Sequence, residues 1–157
     1  LSMMEQSYIY EEMGSMKEAL HFAKEAVSMN DNNLDYQKRL AFLYIDSGRF
    51  EESLVCLKKL VDFEPNRFYN WYAYSEVLML IGEFEEAIMV LNQATKLHNR
   101  AEIYYQLSNC YFHMNNQKEG RKALDVALNL DPNLLEDMKL KYPFIKEEVE
   151  KVKTKKK

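Results

Sequence analysis

Apolar side chains recur at helical spacing along most of the chain, in segments separated by short polar turns. The clearest pair of segments is 68–81 and 84–97, where apolar residues fall three and four positions apart and so share one helix face. Gly82 lies between them and suits a turn with positive φ. The pattern predicts a helical hairpin. Its core stripe is formed by Trp71, Tyr74, Ser75 and Leu78 of the first helix and Ala87, Leu91 and Ala94 of the second.

The hairpin pattern repeats with a period of 34 residues. Gly14, Gly48 and Gly82 are evenly spaced by that interval, and Asn115 follows after 33. A one-residue deletion near residues 99–100 explains the shorter interval, and Asn tolerates positive φ better than most residues other than Gly. Small residues, which allow paired helices to approach closely, keep the same spacing. They are Ser7, Ala41, Ser75 and Ser108, and Ala19, Ser53, Ala87 and Gly120.

The period divides the chain into four hairpins and a C-terminal extension. Because one hairpin cannot bury its apolar face alone, successive hairpins are expected to stack on a shared core. Pro143 is expected to interrupt the extension, so two short helices are predicted there. The predicted hairpins are residues 1–33, 34–67, 68–100 and 101–133, the capping helices residues 134–152, and the lysine-rich tail residues 153–157.

The hairpins resemble the tetratricopeptide repeat in the positions of their apolar and small residues. In the fourth hairpin the matching residues are Tyr104, Leu107, Ser108, Tyr111, Gly120, Leu124, Ala127 and Pro132. The first hairpin departs from the pattern, with Gln6 in place of the leucine and Asp31 in place of the proline. The resemblance implies an all-α fold, a right-handed α-solenoid of four helix–turn–helix repeats with a C-terminal capping helix. It also implies a scaffold that binds proteins or peptides and is not an enzyme.

Tetratricopeptide proteins commonly bind peptides or helices on the concave side of the superhelix, along one face of each first helix. Carried over by register, the resemblance gives ten predicted groove residues: Tyr8, Lys38, Phe42, Tyr69, Tyr72, Glu76, Met79, Tyr105, Asn109 and Phe112. Six are aromatic, and rigid rings make effective binding anchors. The alternative is that these rings pack on one another within a tightly wound superhelix, or under a missing segment.

The polar residues among the predicted groove positions limit which class of ligand is expected. Some relatives grip the terminal carboxylates of chaperones with Lys, Asn and Arg, and here only Lys38 and Asn109 offer that chemistry. Phe42 and Glu76 occupy positions where such a clamp would need polar or basic groups. A mixed hydrophobic and basic peptide, or an amphipathic helix, is therefore the expected ligand.

The charge distribution argues against nucleic acid as a partner. The net charge is −4, and five of the 21 basic residues lie among the last seven. The remaining chain has 16 basic and 25 acidic residues, a net charge of −9. Because an acidic surface repels phosphate, nucleic acid is not expected to bind, and the lysine tail is interpreted as a solvated end. No run of 18 apolar residues predicts a membrane span, and no membrane partner is expected.

No constellation of residues predicts catalysis, a cofactor or a metal site. His21, His98 and His113 are isolated from one another, and Cys56 and Cys110 form no CxxC pair. Two separate cysteines are typical of a reducing compartment, so a cytoplasmic protein is expected.

Two alternatives concern the N-terminal side. The array could be the regulatory or scaffolding domain of a larger protein whose N-terminal part, an enzyme or a DNA-binding domain, is missing. Leu1 falls near the start of a first helix, and if more repeats preceded it, the uncovered apolar face of the first hairpin is expected to permit self-association. Sedimentation at micromolar concentration that shows only monomer would count against self-association.

Overall fold

Helices account for all the regular secondary structure in the part of the chain that the structure describes. This computed structural model describes residues 1–155, with side chains up to residue 151, so residues 156 and 157 of the predicted lysine tail lie outside the described residues. The predicted all-α class is confirmed. The helices are α1 (Met3–Glu12), α2 (Met16–Met29), α3 (Leu34–Asp46), α4 (Phe50–Phe63), α5 (Phe68–Leu80), α6 (Phe84–Thr95), α7 (Ala101–His113), α8 (Gln117–Leu130), α9 (Leu135–Lys141) and α10 (Pro143–Lys155), with a 3₁₀ turn at Pro132–Leu134.

Two compact units make up the chain. The first, Leu1–Ile81, contains α1 to α5, and each of these helices packs against the next. In the second unit, which begins at Gly82, α6 packs on α7 and α7 on α8, while α10 contacts both α7 and α9. Successive helices therefore share apolar surface within each unit, as stacked hairpins require.

A left-handed backbone residue ends each first helix, as the glycine spacing predicted. After Gly14, Gly48 and Asn115, the next residue closes the turn by donating its N–H to a carbonyl five positions back, for example from Arg49 to Tyr44 (2.8 Å) and from Asn116 to Tyr111 (2.9 Å). This arrangement satisfies carbonyl groups that a helix end would otherwise leave without a partner. The φ angles are 78° at Gly14, 77° at Gly48, 82° at Gly82 and 59° at Asn115.

Small residues lie where the two helices of a hairpin cross. The Ser7 hydroxyl donates to the Ala19 carbonyl (2.7 Å), and the Ser108 hydroxyl donates to the Gly120 carbonyl (2.8 Å). These four residues are buried, so a larger side chain at either position would force the helices apart.

Side-chain hydrogen bonds fix the start of a first helix to the end of the preceding second helix. Gln37 and Trp71 occupy the same register, and each donates to a carbonyl six residues back, Asp31 (2.8 Å) and Pro65 (2.7 Å) respectively. The Asn70 amide also donates to the Leu60 carbonyl (3.2 Å). These bonds hold α5 against α4.

The chain turns sharply between α9 and α10. Tyr142 is extended, with φ of −121° and ψ of 98°, and Pro143 begins α10, a position that proline tolerates well. The predicted interruption at Pro143 is confirmed, and α10 continues to Lys155, into the predicted lysine tail. Met138 of α9 and Ile145 of α10 are buried.

Candidate functional site

A surface pocket of about 440 Å³ lies between α3, α4 and α5 of the first unit. Its lining is almost entirely apolar, and the rings of Phe42 and Tyr69 beside it are 52% and 73% exposed. Exposed rings beside an apolar concavity are typical of ligand-binding surfaces. We call this site the α3–α5 pocket; it is lined by Lys38, Ala41, Phe42, Ile45, Leu57, Leu60, Arg67, Phe68, Tyr69, Asn70 and Ala73.

An ion cluster borders the α3–α5 pocket. The Glu64 carboxylate accepts from Lys38 Nζ at 3.1 Å and from Arg67 Nε at 3.2 Å, both measured to its Oε2 atom. Burial alone would raise the pKa of Glu64, but hydrogen bonds from Lys38 and Asn70 and the charges of Lys38 and Arg67 outweigh it and lower that pKa. Both cations beside the pocket are therefore paired at neutral pH.

Tyr8 lies elsewhere in the first unit. Its ring is 51% exposed, and the Arg39 guanidinium stacks on it at 4.0 Å from the ring centroid. Arg39 also forms an ion pair with Glu11. Tyr8 thus joins α1 to α3 through a cation–π contact and does not line the α3–α5 pocket.

Tyr72 and Glu76 of α5 are half-buried and do not line the pocket. The Tyr72 ring instead packs at 5.7 Å, between centroids, from the ring of Phe68, which is itself part of the pocket wall. Tyr72 therefore contacts a residue of the pocket wall without lining the α3–α5 pocket itself.

Met79 and Phe112 are buried, so the structure contradicts their prediction as open groove residues. They are 9% and 2% exposed. Each lies one turn after a small crossing residue, Ser75 or Ser108, and four residues rotate a helix by only about 40° beyond a full turn. That rotation keeps these side chains on the core side; in the second unit a Cβ placed on Gly120 would lie 2.4 Å from Phe112 Cε1.

Tyr105 and Asn109 are also buried, again contrary to their prediction as open groove residues. They are 0% and 3% exposed. The Tyr105 hydroxyl donates to the Asp131 carbonyl (3.2 Å), at the end of α8. The helix that carries both residues, α7, is contacted by α10 as well as by α6 and α8. Tyr105 and Asn109 therefore belong to the buried packing of the second unit.

Of the predicted groove residues, Lys38, Phe42 and Tyr69 line the α3–α5 pocket, whereas most of the pocket floor was not predicted. Leu57 and Leu60 belong to α4, the second helix of its hairpin, whereas the predicted groove residues all lie on the first helices of hairpins. Arg67 precedes α5 and was missed because it lies outside the helix, although its spacing of three residues from Glu64 signals an ion pair.

Two further observations concern metal-ligand groups and thiols among the described residues. They contain no group of three or more His, Cys, Asp or Glu side chains arranged to hold a metal ion. Cys56 and Cys110 are buried free thiols, and burial raises the pKa of Cys56 to about 11, which keeps it in the unreactive thiol form.

Comparison with known protein families agrees with the repeat spacing. The family described as Tetratricopeptide repeat matches residues 11–70. The family described as Anaphase-promoting complex, cyclosome, subunit 3 matches residues 54–127. The chain belongs to the tetratricopeptide repeat family. Such helical repeats are protein-interaction scaffolds and are typically non-catalytic.

Individual relatives of this tetratricopeptide repeat protein are distant. Protein O-mannosyl-transferase TMTC1 of Homo sapiens is 26% identical over 125 residues, which are 79% of this chain but only 14% of the human protein. A crystal structure of MamA protein is 22% identical and superimposes with a TM-score of 0.74 over 98% of this chain and 92% of that one. The structure of MamA 41-end from Desulfovibrio magneticus RS-1 is 23% identical, with a TM-score of 0.69 over 94% and 89%. At these identities the structural likeness concerns the fold alone.

None of the helices in residues 1–155 combines the length and the apolar character needed to cross a lipid bilayer.

Proposed function

We propose that this tetratricopeptide repeat chain is a scaffold that binds a protein or peptide ligand at the α3–α5 pocket. The observation that carries the proposal is the pair of exposed rings, Phe42 and Tyr69, at an apolar pocket of about 440 Å³. Hydration of an exposed apolar ring is unfavourable in free energy, and a ligand that covers the ring removes this cost. A pocket of this size holds one or two apolar side chains. Lys38 completes the site as a polar contact.

The proposed ligand is an amphipathic helix or a mixed hydrophobic and basic peptide. The first unit, residues 1–81, has 13 acidic and 8 basic residues, a net charge of −5. Lys38, Arg67 and Glu64 together contribute +1 to this sum, so the rest of the first unit has a net charge of −6. A basic segment next to the inserted side chain therefore gains from electrostatic attraction.

The test is selection of peptides from a displayed random library on the immobilised protein, followed by titration of a selected peptide by fluorescence anisotropy. Tyr69→Ala is expected to weaken affinity by about 1–2 kcal/mol, or roughly 5–30-fold in Kd. Tyr8→Ala is the matched control, because Tyr8 is a similarly exposed ring outside the pocket. Equal affinity for Tyr69→Ala and wild type, or an equal loss for both variants, would reject the site.

A second proposal is that the array serves as a regulatory or scaffolding domain within a larger protein. The supporting observation is that the matching segment forms only 14% of the human relative, Protein O-mannosyl-transferase TMTC1. The reading frame around the coding sequence tests this proposal directly, since a continuous upstream enzyme or DNA-binding domain would support it and a start codon at the first repeat would reject it.

Self-association through the first hairpin and a cytoplasmic location complete the proposal. Leu1, Ile9 and Met13 are exposed apolar side chains on or beside α1, and burying them against a second copy would be favourable. Sedimentation velocity of wild type and Met13→Ser tests the contact, since equal monomeric profiles at micromolar concentration would reject it.

The buried free cysteines support the proposed cytoplasmic location, because free thiols are typical of a reducing compartment.

A further inference from the structure

The face of α7 that bears Tyr105 and Asn109 is closed, whereas the same registers are open or half-open in α3 and α5. Phe42 is exposed and Tyr72 is half-buried at the positions that correspond to Asn109 and Tyr105. The second unit differs in one helix: α10 packs on α7 in addition to its neighbours α6 and α8. Helix α10 is thus a further helix against α7, in addition to the end of α8, where the Asp131 carbonyl accepts from the Tyr105 hydroxyl.

Side chains in the first half of α10 hold it against the rest of the second unit. Ile145 is its fully buried aliphatic side chain, and the Phe144 ring meets the His113 ring edge-on at 4.6 Å between centroids. Glu148 is buried and pairs with Arg121 Nε of α8 at 3.0 Å. Because desolvation of a buried carboxylate offsets much of its pairing energy, this ion pair gives more specificity than stability.

Most of the remaining described surface of α10 is polar. Lys146, Glu147, Glu150 and Lys151 are exposed, and Val149 adds a half-buried aliphatic side chain. The extended residue Tyr142 and Pro143, which has no N–H to donate, separate α10 from α9. A helix with one fully buried aliphatic side chain and a break before it can open at a lower free energy than the hairpin core.

We propose that the α7 face bearing Tyr105 and Asn109, together with Arg121, is a helix-binding surface whose resident occupant, α10, is exchangeable. The surface selects a helix that presents an aliphatic residue and, three positions later, a glutamate, as α10 does with Ile145 and Glu148. A partner helix of this pattern displaces α10. The proposal is independent of the α3–α5 pocket, which lies in the other unit.

Amide hydrogen exchange by mass spectrometry tests whether α10 opens by itself. Ile145→Ala is expected to accelerate exchange in α10 on the order of thirtyfold. Arg121→Gln, which leaves Glu148 buried without this partner, is expected to accelerate it about tenfold. Lys146→Ala and Lys122→Gln are the matched controls, each an exposed neighbour of the altered residue, and neither should change exchange in α10.

Rebinding tests whether α10 is exchangeable. A synthetic peptide of residues 142–155, added to the Ile145→Ala protein, is expected to bind and to slow exchange in α7. The same peptide carrying Ile145→Ala or Glu148→Ala is expected not to bind. Saturable binding with this selectivity supports the helix-binding surface.

Three results would overturn the proposal. In wild type, α10 could exchange as slowly as α7 and α8, which would make it part of the cooperative core. In Ile145→Ala, exchange could rise by one common factor through α6, α7, α8 and α10, which would mean that the whole unit unfolds together. In the rebinding assay, the peptide could fail to bind while α7 and α8 stay protected.

Discussion

Corresponding positions of the repeat differ in exposure between the two units. In the first unit, Phe42 is exposed beside the α3–α5 pocket, whereas Asn109, at the corresponding position of α7 in the second unit, is buried. Tyr72 of the first unit is half-buried, and Tyr105 at its position in α7 is fully buried. A position on a first helix therefore does not decide by itself whether a side chain meets solvent; the helices packed around it decide.

The comparison also separates two physical roles for aromatic residues. A ring such as Phe112, seated against Gly120, contributes to stability through packing. A ring such as Tyr69, largely in solvent, contributes little to stability and is available to a ligand. Substitutions at the two kinds of ring should change different measured quantities.

The largest expected effect is on Phe112. Phe112→Ala should lower the free energy of unfolding by about 3–5 kcal/mol, because it leaves a cavity against Gly120. Phe42→Ala should change it by less than about 0.5 kcal/mol, because Phe42 is half exposed. Urea denaturation followed by circular dichroism measures both, and equal losses would remove the distinction between the two regions.

The next effect concerns the glycine that faces Phe112. A methyl group at Gly120 would lie 2.4 Å from Phe112 Cε1, so Gly120→Ala should cost about 1–3 kcal/mol of stability through overpacking. The double variant Gly120→Ala, Phe112→Leu has a smaller side chain opposite the new methyl group and should recover part of the loss. If Gly120→Ala instead raised stability by about 1 kcal/mol, as it does in exposed helices, Phe112 would not be seated there.

A smaller effect is expected from one hydroxyl group. Tyr105→Phe removes the hydrogen bond to the Asp131 carbonyl and should lower stability by about 0.5–1.5 kcal/mol. Tyr69→Phe is the control, since its hydroxyl is in an exposed residue and should contribute almost nothing. Thermal denaturation of both variants provides the comparison, and identical melting temperatures would show that Tyr105 is not held by this bond.

The smallest effect is a pH dependence at the border of the α3–α5 pocket. Because the folded state lowers the pKa of Glu64, its contribution to stability is present above the ordinary glutamate pKa of about 4.3 and is lost as pH falls through the folded value. Wild type should exceed Glu64→Gln by about 1 kcal/mol or less at pH 7, and this margin should shrink toward pH 3. A margin that stays constant across that range would contradict the pairing with Lys38 and Arg67.

The sequence predicted the local structure well because local signals control it. The glycine spacing fixed where the chain adopts positive φ, and Asn115 took over that role at the fourth turn. Small residues such as Ser7 and Ser108 marked the helix crossings, where their hydroxyls bond the partner helix. Each of these features depends on a residue and its near neighbours.

The candidate site was only partly predictable because it depends on distant packing. Pro143 signalled a break, but no local pattern said that the helix after it packs on α7. Tyr105 and Asn109 were therefore placed in an open groove and are buried. The pocket floor formed by Leu57 and Leu60 was missed for a similar reason, since α3 and α4 of one hairpin build the pocket together with α5 of the next.

The most direct test of the binding account is methyl NMR during titration with a peptide selected on the wild-type protein. The account predicts that methyl signals of Ala41, Ile45 and Ala73, which line the α3–α5 pocket, shift and saturate together with the binding curve. Pocket methyl signals that stay unchanged while the peptide binds would contradict it.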